Sequence, residues 1–203
     1  MPRTPEENER IRRAARDKIL QAATELFIEK GFHSASIDDV AKRADISKGL
    51  LYNYFKGKEE LLAAMVDLRI EEVLEVMQAA AAKETPAEQL RHIVEGALDN
   101  VRERPEVFRF YLNLFTCPKQ DEIVARHGNR LLGAYAEQFE AQCAMFEKLG
   151  AADPRKRSLH FSSTLQGIML MYTNYPSGFP LDDMKAQTIE EFCGNRNLQP
   201  DVS

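Results

Sequence analysis

The chain has 203 residues, of which 44% are apolar and 29% charged, enough to build one large domain or two small ones around a substantial core. Its formal net charge of -5 argues against bulk affinity for nucleic acid, no apolar run reaches the ~18 residues of a membrane span, and the polar start MPRTPEENERIRR lacks an apolar signal core, so neither secretion nor membrane insertion is expected. Three cysteines without CxxC spacing, Cys117, Cys143 and Cys193, suit reduced, mostly buried thiols in a cytoplasmic protein better than a disulfide frame or a zinc site.

Residues 1 to 9 read as a terminal arm, either disordered or carrying Arg3 toward a minor groove. The first helix is predicted from about Glu9 to Lys30, with Ile19, Ala22, Ala23, Leu26 and Phe27 on its buried stripe, Gly31 as its stop, and Phe32 returning to the core. Arg12, Arg13, Arg16 and Lys18 crowd its N-terminal half, where the helix dipole disfavours cations; a phosphate backbone would accommodate them, and so would plain solvation. Ser36-Ile37-Asp38-Asp39 has the pattern of a capping box, and Ile37, Val40, Ala41 and Ala44 continue it as one apolar face. Asp45-Ile46-Ser47 is then a turn, and Ser47 caps a second helix starting at Lys48 and broken by Gly57. Ile46, Leu51 and Phe55 share the inner face, so Lys48, Gly49, Leu50, Tyr52 and Asn53 point outward. That outward set mixes a cation, an amide, a phenol, a leucine and a glycine, which suits a DNA major groove offering thymine methyls, adenine edges and phosphates.

These residues carry a resemblance. The stretch SIDDVAKRADISKGLLYNYFKGKEELL, Ser36 to Leu62, resembles the N-terminal DNA-binding domain of the TetR (tetracycline repressor) family. The match runs over roughly fifty residues from Arg12 and includes Gly31-Phe32, Ile37, Val40, Ala41, Ser47-Lys48-Gly49, Tyr52, Phe55, Lys58 and Leu61. It implies DNA contacts from Ser36, Ser47, Lys48, Gly49, Leu50, Tyr52, Asn53 and Lys58, with Tyr52 and Lys58 on phosphates. Leu50 departs from the pattern, because the family usually has a small hydroxyl residue there, and the hydrogen bond implied at that position lacks its donor. From Arg10 to Lys58 eleven Lys/Arg face six Asp/Glu, a local +5, so the rest of the chain sums to -10. A basic module on an acidic body fits a site-specific binder, and a solvated helix face explains part of it.

The remaining chain is punctuated into helices by its own caps. One connecting helix is predicted from Lys58 to Ala82, with Leu61, Leu62, Met65, Leu68, Val73, Leu74 and Met77 on its inner side. Thr85-Pro86-Ala87-Glu88 opens a helix to about Arg102, Pro105 opens another through Phe115, and a long one follows from about Lys119 to Leu149. Gly150 ends it, Asp153-Pro154 starts the next, to about Tyr175, and a last helix spans about Leu181 to Cys193. No segment has strand alternation with hairpin turns. The expected fold is all-α, with a helix-turn-helix domain over residues 1–57, a ligand-binding and dimerisation domain over 58–203, and the nine helices that the resemblance implies.

Catalytic patterns are missing: no GxSxG, no phosphate-cradling glycine loop, no HExxH, and four histidines without ligand spacing. No enzyme activity, cofactor or metal is expected. Phe108, Tyr111, Phe115, Phe139 and Met169 belong to an aromatic and sulfur-rich set that is either ordinary core or, as the resemblance implies, the wall of an effector cavity. Polar candidates to orient a ligand are His92, Arg109, Asn113 and Gln138, each equally suited to the surface. The penultimate helix is apolar on more than one face, and the resemblance implies that Ser163, Gly167 and Leu170, with Ile189 and Phe192 of the last helix, meet a second subunit. The sequence is read as a homodimeric, ligand-responsive regulator, most simply a repressor released from a palindromic double-stranded DNA operator by a small molecule. The alternative is a helical ligand-binding protein or enzyme carrying a basic accessory module.

Overall fold

The computed structural model describes residues 4–116 and 121–194, so the expectations for Arg3 and for Cys117 and Lys119 lie outside the described residues. The described chain is all-helical: α1 (Pro5–Lys30), α2 (Ile37–Arg43), α3 (Lys48–Tyr52), α4 (Lys58–Ala81), α5 (Pro86–Glu103), α6 (Pro105–Thr116), α7 (Glu122–Lys148), α8 (Pro154–Asn174) and α9 (Leu181–Cys193). Among the described residues, no helix is long and apolar enough to cross a membrane. The chain forms two compact units, Met1–Leu68 and Arg69–Ser203. The division falls inside α4 rather than at Lys58, because the first turns of that helix bury Leu61, Leu62, Met65 and Val66 completely or nearly so and count with the first unit.

In the first unit, α1 packs on α2 and α2 on α3. The buried stripe of α1 is the predicted one, with Ile19, Ala22, Ala23, Leu26 and Phe27 inside. Its start is earlier than expected: Thr4 Oγ1 accepts the Glu7 amide at 3.2 Å and Pro5 takes the first helical position, so residues 5 to 9 are helix and not a free arm. Arg43 at the end of α2 grips α1, donating to both carboxylate oxygens of Glu29 at 2.9 and 2.8 Å and to Glu25 at 3.3 Å. This pairing holds the Glu29 carboxyl below its ordinary range.

The second unit is built on α5, which packs against α7, α8 and α9. Leu90, Ile93, Val94, Leu98 and Val101 supply its buried face, and they meet Phe146 of α7, Phe161, Leu165 and Ile168 of α8, and Phe192 of α9. Two sequence expectations are corrected here. Leu68 and Leu74 are 45% and 40% exposed rather than on the inner side of α4; the helix is apolar on several faces, so its stripe has no unique phase in the sequence. Phe192 is only 4% exposed and forms edge-to-face pairs with Phe146 and Phe161 at 6.2 and 5.1 Å, with the Arg157 guanidinium 4.4 Å from its ring centre. Its surface is taken up within the protomer and is not available to a second subunit.

Candidate nucleic-acid interface and internal cavity

The geometry around α3 follows from three local interactions. Ser36 and Asp39 cap α2 reciprocally: each backbone amide donates to the other's side chain, at 3.1 Å in both directions. α2 closes in a Schellman motif, in which the Ile46 amide reaches Ala41 O at 3.0 Å and the Asp45 amide reaches Lys42 O at 3.1 Å. The residue in the left-handed position is Asp45, with φ of 52°, a conformation that aspartate tolerates and a β-branched residue does not. Ser47 Oγ then accepts the Leu50 amide at 3.1 Å and starts α3. α3 is shorter than the sequence suggests. It ends at Tyr52 with Asn53 as its cap, because Phe55 turns back into the core beside Leu51, at 1% and 0% exposure.

The outward set is where its spacing placed it. Ser47, Lys48, Gly49, Leu50, Tyr52 and Asn53 are all exposed, with Leu50 at 40% and Tyr52 at 47%. Leaving two large apolar side chains on one short helix in water is a cost that a partner surface would relieve. Lys48 pairs with Asp38 at 2.7 Å, Lys30 with Asp39 at 3.8 Å, and Arg43 with two glutamates, so part of the module's positive charge is compensated internally. Arg12, Arg13 and Lys18 are exposed on α1. Ser36 is exposed too, but its hydroxyl is engaged in the capping box, donating to Asp39 at 2.8 Å.

Lys58 is placed differently from a simple phosphate contact. Its Nζ donates to Phe32 O at 3.0 Å and His33 O at 2.9 Å and lies 5.0 Å from the centre of the Phe32 ring. Two of its three protons therefore tie α4 to the turn between α1 and α2. Lys58→Met, which keeps the stem, is expected to destabilise the fold by about 1.5–3 kcal/mol through the carbonyls left without a donor. Thermal melting checks this, and an unchanged Tm contradicts the clamp. Gly49 gives a complementary expectation, since a Cβ built there meets no atom within 4 Å. Gly49→Ala should leave Tm equal or higher while weakening a DNA complex by about 1–3 kcal/mol through a methyl in the interface. Equal DNA affinity for the two proteins would remove Gly49 from the interface.

The second unit contains a cavity of about 170 Å³. Its apolar wall comes from Phe108, Tyr111 and Phe115 of α6, Phe139 of α7, Leu165 and Met169 of α8, and the Ile93 face of α5. Of the polar candidates read from sequence, Gln138 lines it. His92 does not, Asn113 is exposed, and Arg109 donates to Thr173 O at 2.8 Å. The polar lining that sequence reasoning missed is Arg69 and Glu72 of α4 with Tyr135 of α7. Arg69 Nη1 lies 2.9 Å from Glu72 Oε2, and its Nε and Nη2 face Tyr135 Oη at 3.4 and 3.3 Å. The signal was present: Arg69 is a cation at an inner position between Leu62, Val66 and Val73. Burial pushes the Tyr111 phenol well above its ordinary value, so it stays protonated and uncharged.

On α8, Leu159, Ser163, Gly167, Leu170 and Met171 are exposed, with Leu159 at 55%; the cap residue Tyr175 is 65% exposed. Their spacing places them on one side of the helix. Ile189 is half-buried against the core. Cys143 and Cys193 are free and half-buried, and burial raises the Cys193 thiol to about 11, which keeps it protonated and slow to react at neutral pH.

The first unit presents a mixed polar and apolar face on a capped helix pair, and the second contains a cavity. Residues 19–65 match the family model for bacterial regulatory proteins of the tetR family. The HTH-type transcriptional activator FasR of Mycolicibacterium smegmatis is 33% identical over 95 residues, covering 46% of this chain and 43% of that protein. The HTH-type transcriptional regulator BetI of Serratia proteamaculans is 26% identical over 163 residues, covering 76% and 79%. Among solved structures, a TetR-like transcriptional regulator from Rhodococcus superposes with a TM-score of 0.72 at 21% identity, over 87% of this chain and 92% of that one. FadR from Bacillus subtilis in complex with stearoyl-CoA superposes at 0.70 and 18%, over 88% and 97%. The chain spans less than half the length of the first curated relatives it matches. The N-terminal residues thus match the tetR family model, and the described residues share an all-helical fold with TetR-like structures.

Proposed function

We propose that the chain is a ligand-responsive, sequence-specific transcriptional regulator that binds a palindromic operator as a homodimer in the cytoplasm and leaves it when a small molecule fills the cavity. The observation that carries this reading is the outward face of α3, where Lys48, Gly49, Leu50, Tyr52 and Asn53 stand exposed on a helix held by side-chain caps at its start. The exposed apolar stripe of α8 supports the dimer, since two such faces would cover one another. Repression is the sign we take, because a ligand that weakens DNA binding releases the operator. By linkage, a tenfold loss of DNA affinity requires the DNA complex to hold the ligand tenfold more weakly, a coupling of about 1.4 kcal/mol. A gel shift with the DNA upstream of the chain's own gene tests the proposal: a complex that resists salt and unrelated competitor DNA is expected. Binding that any duplex competes away equally, or no binding, would overturn it. Within that assay, Asn53→Ala should cost about 1–3 kcal/mol at one base position while sparing the others. An intact sequence preference would remove Asn53 from base reading.

A further inference from the structure

The charges beside the cavity select among ligands. Among the described residues Glu72 is the one acid on its wall, and it is engaged by two guanidinium groups: Arg69 at 2.9 Å, whose side chain is 20% exposed, and Arg104 at 3.3 Å, which is 45% exposed. Two cations share one carboxylate. Two further polar groups on the wall can donate. Tyr135 Oη already faces two Arg69 nitrogens, so its own proton is what it offers. Gln142 is 4% exposed, lines the cavity, and its Oε1 accepts from Ser158 and Ser162 at 3.3 and 2.9 Å, so the donating capacity of its amide is not used by these two bonds. A cationic ligand would compete with two arginines for one carboxylate, and a neutral one would leave the excess positive charge uncompensated in a partly dry site.

We infer that the cavity selects a small amphipathic anion with a ring-sized apolar body and a carboxylate-type head, and that the head takes Arg69 while Glu72 stays on Arg104. The size follows from the volume, since an engineered apolar cavity of about 150 Å³ takes benzene and this one is about 170 Å³ with five aromatic side chains on its wall. The fork of Arg69 is suited to a planar two-oxygen head. This inference rests on the proposed effector role of the cavity and names the chemical class of the effector.

A matched series tests it: 3-phenylpropionate, 3-phenylpropanol and 3-phenylpropylamine share one ring and one chain and differ in head charge. Calorimetric titration of the full chain should show the acid binding at least about tenfold more tightly than the alcohol, with the amine weakest. Arg69→Gln should abolish the preference for acid over alcohol while leaving alcohol affinity within about threefold. Because that variant also removes a buried partner of Glu72, Glu72→Gln serves as a second arm. It frees Arg69 from its competing carboxylate and should tighten the acid. Equal or better binding of the alcohol or amine, a weakened acid complex in Glu72→Gln, or no binding of all three at millimolar concentration would overturn the inference. A sequence-dependent DNA complex of the ligand-free protein is measured independently; if it forms and the acid fails, only the effector class is wrong.

Discussion

Gly167→Arg should yield a folded monomer that no longer binds its operator. Gly167 is exposed on α8, and a Cβ built there meets no atom of its own chain within 4 Å, so an arginine fits the isolated protomer without strain. In the proposed interface, the same side chain would sit between the Leu159, Leu170 and Met171 surfaces of two subunits. An unpaired charge buried there costs on the order of 3–5 kcal/mol, more than enough to shift a dimer of ordinary affinity toward monomers. Two reading helices reach successive major grooves only when held roughly 34–36 Å apart. A monomer keeps every residue of the α3 face and loses that spacing. Sedimentation velocity with a parallel gel shift checks both halves. A dimer with normal operator binding would remove α8 from the interface and the spacing argument with it.

Gly128→Ala should be strongly destabilising, because its methyl would be forced between α6 and α7. A Cβ at Gly128 would lie 2.6 Å from Leu114 O and 3.3 Å from Leu114 C, a clash with backbone that no rotamer change relieves. α6 and α7 approach this closely only because the residue is glycine, and α6 carries Phe108, Tyr111 and Phe115 on the cavity wall. Forcing the two helices apart should cost about 1–3 kcal/mol, several degrees in Tm for a chain of this length. Ligand affinity should change with it, because the wall moves. Calorimetric melting that gives the wild-type Tm would contradict the close approach.

The helix boundaries were legible wherever a polar cap or a glycine is unambiguous. Ser36, Thr85 and Asp153 cap their helices through the predicted side-chain bonds, and Gly150 ends α7 in the left-handed conformation, with φ of 81°. Thr4-Pro5-Glu6-Glu7 carries the same start signal as Thr85-Pro86-Ala87-Glu88; the expectation that a terminus frays obscured it. The end of α3 was not legible, because Leu51 and Phe55 four apart fit a continuing helix and a turn into the core equally well. Phe192 shows a second limit. An apolar residue on a two-faced helix can meet its own core or a partner, and periodicity does not distinguish the two. The aromatic wall of the cavity was legible as a set of side chains, while its polar lining was not. Arg69 and Glu72 lie more than sixty positions before Tyr135 in the chain, so only the fold brings them together.

The most direct test of the central claim is selection of binding sites from a pool of random DNA duplexes by the 203-residue chain. A palindrome whose half-sites are centred about 10–10.5 base pairs, or a multiple of that, apart is expected to be enriched, and Asn53→Ala should relax one position in each half-site. A pool that emerges with no common sequence would contradict the assignment of this chain as a sequence-specific regulator.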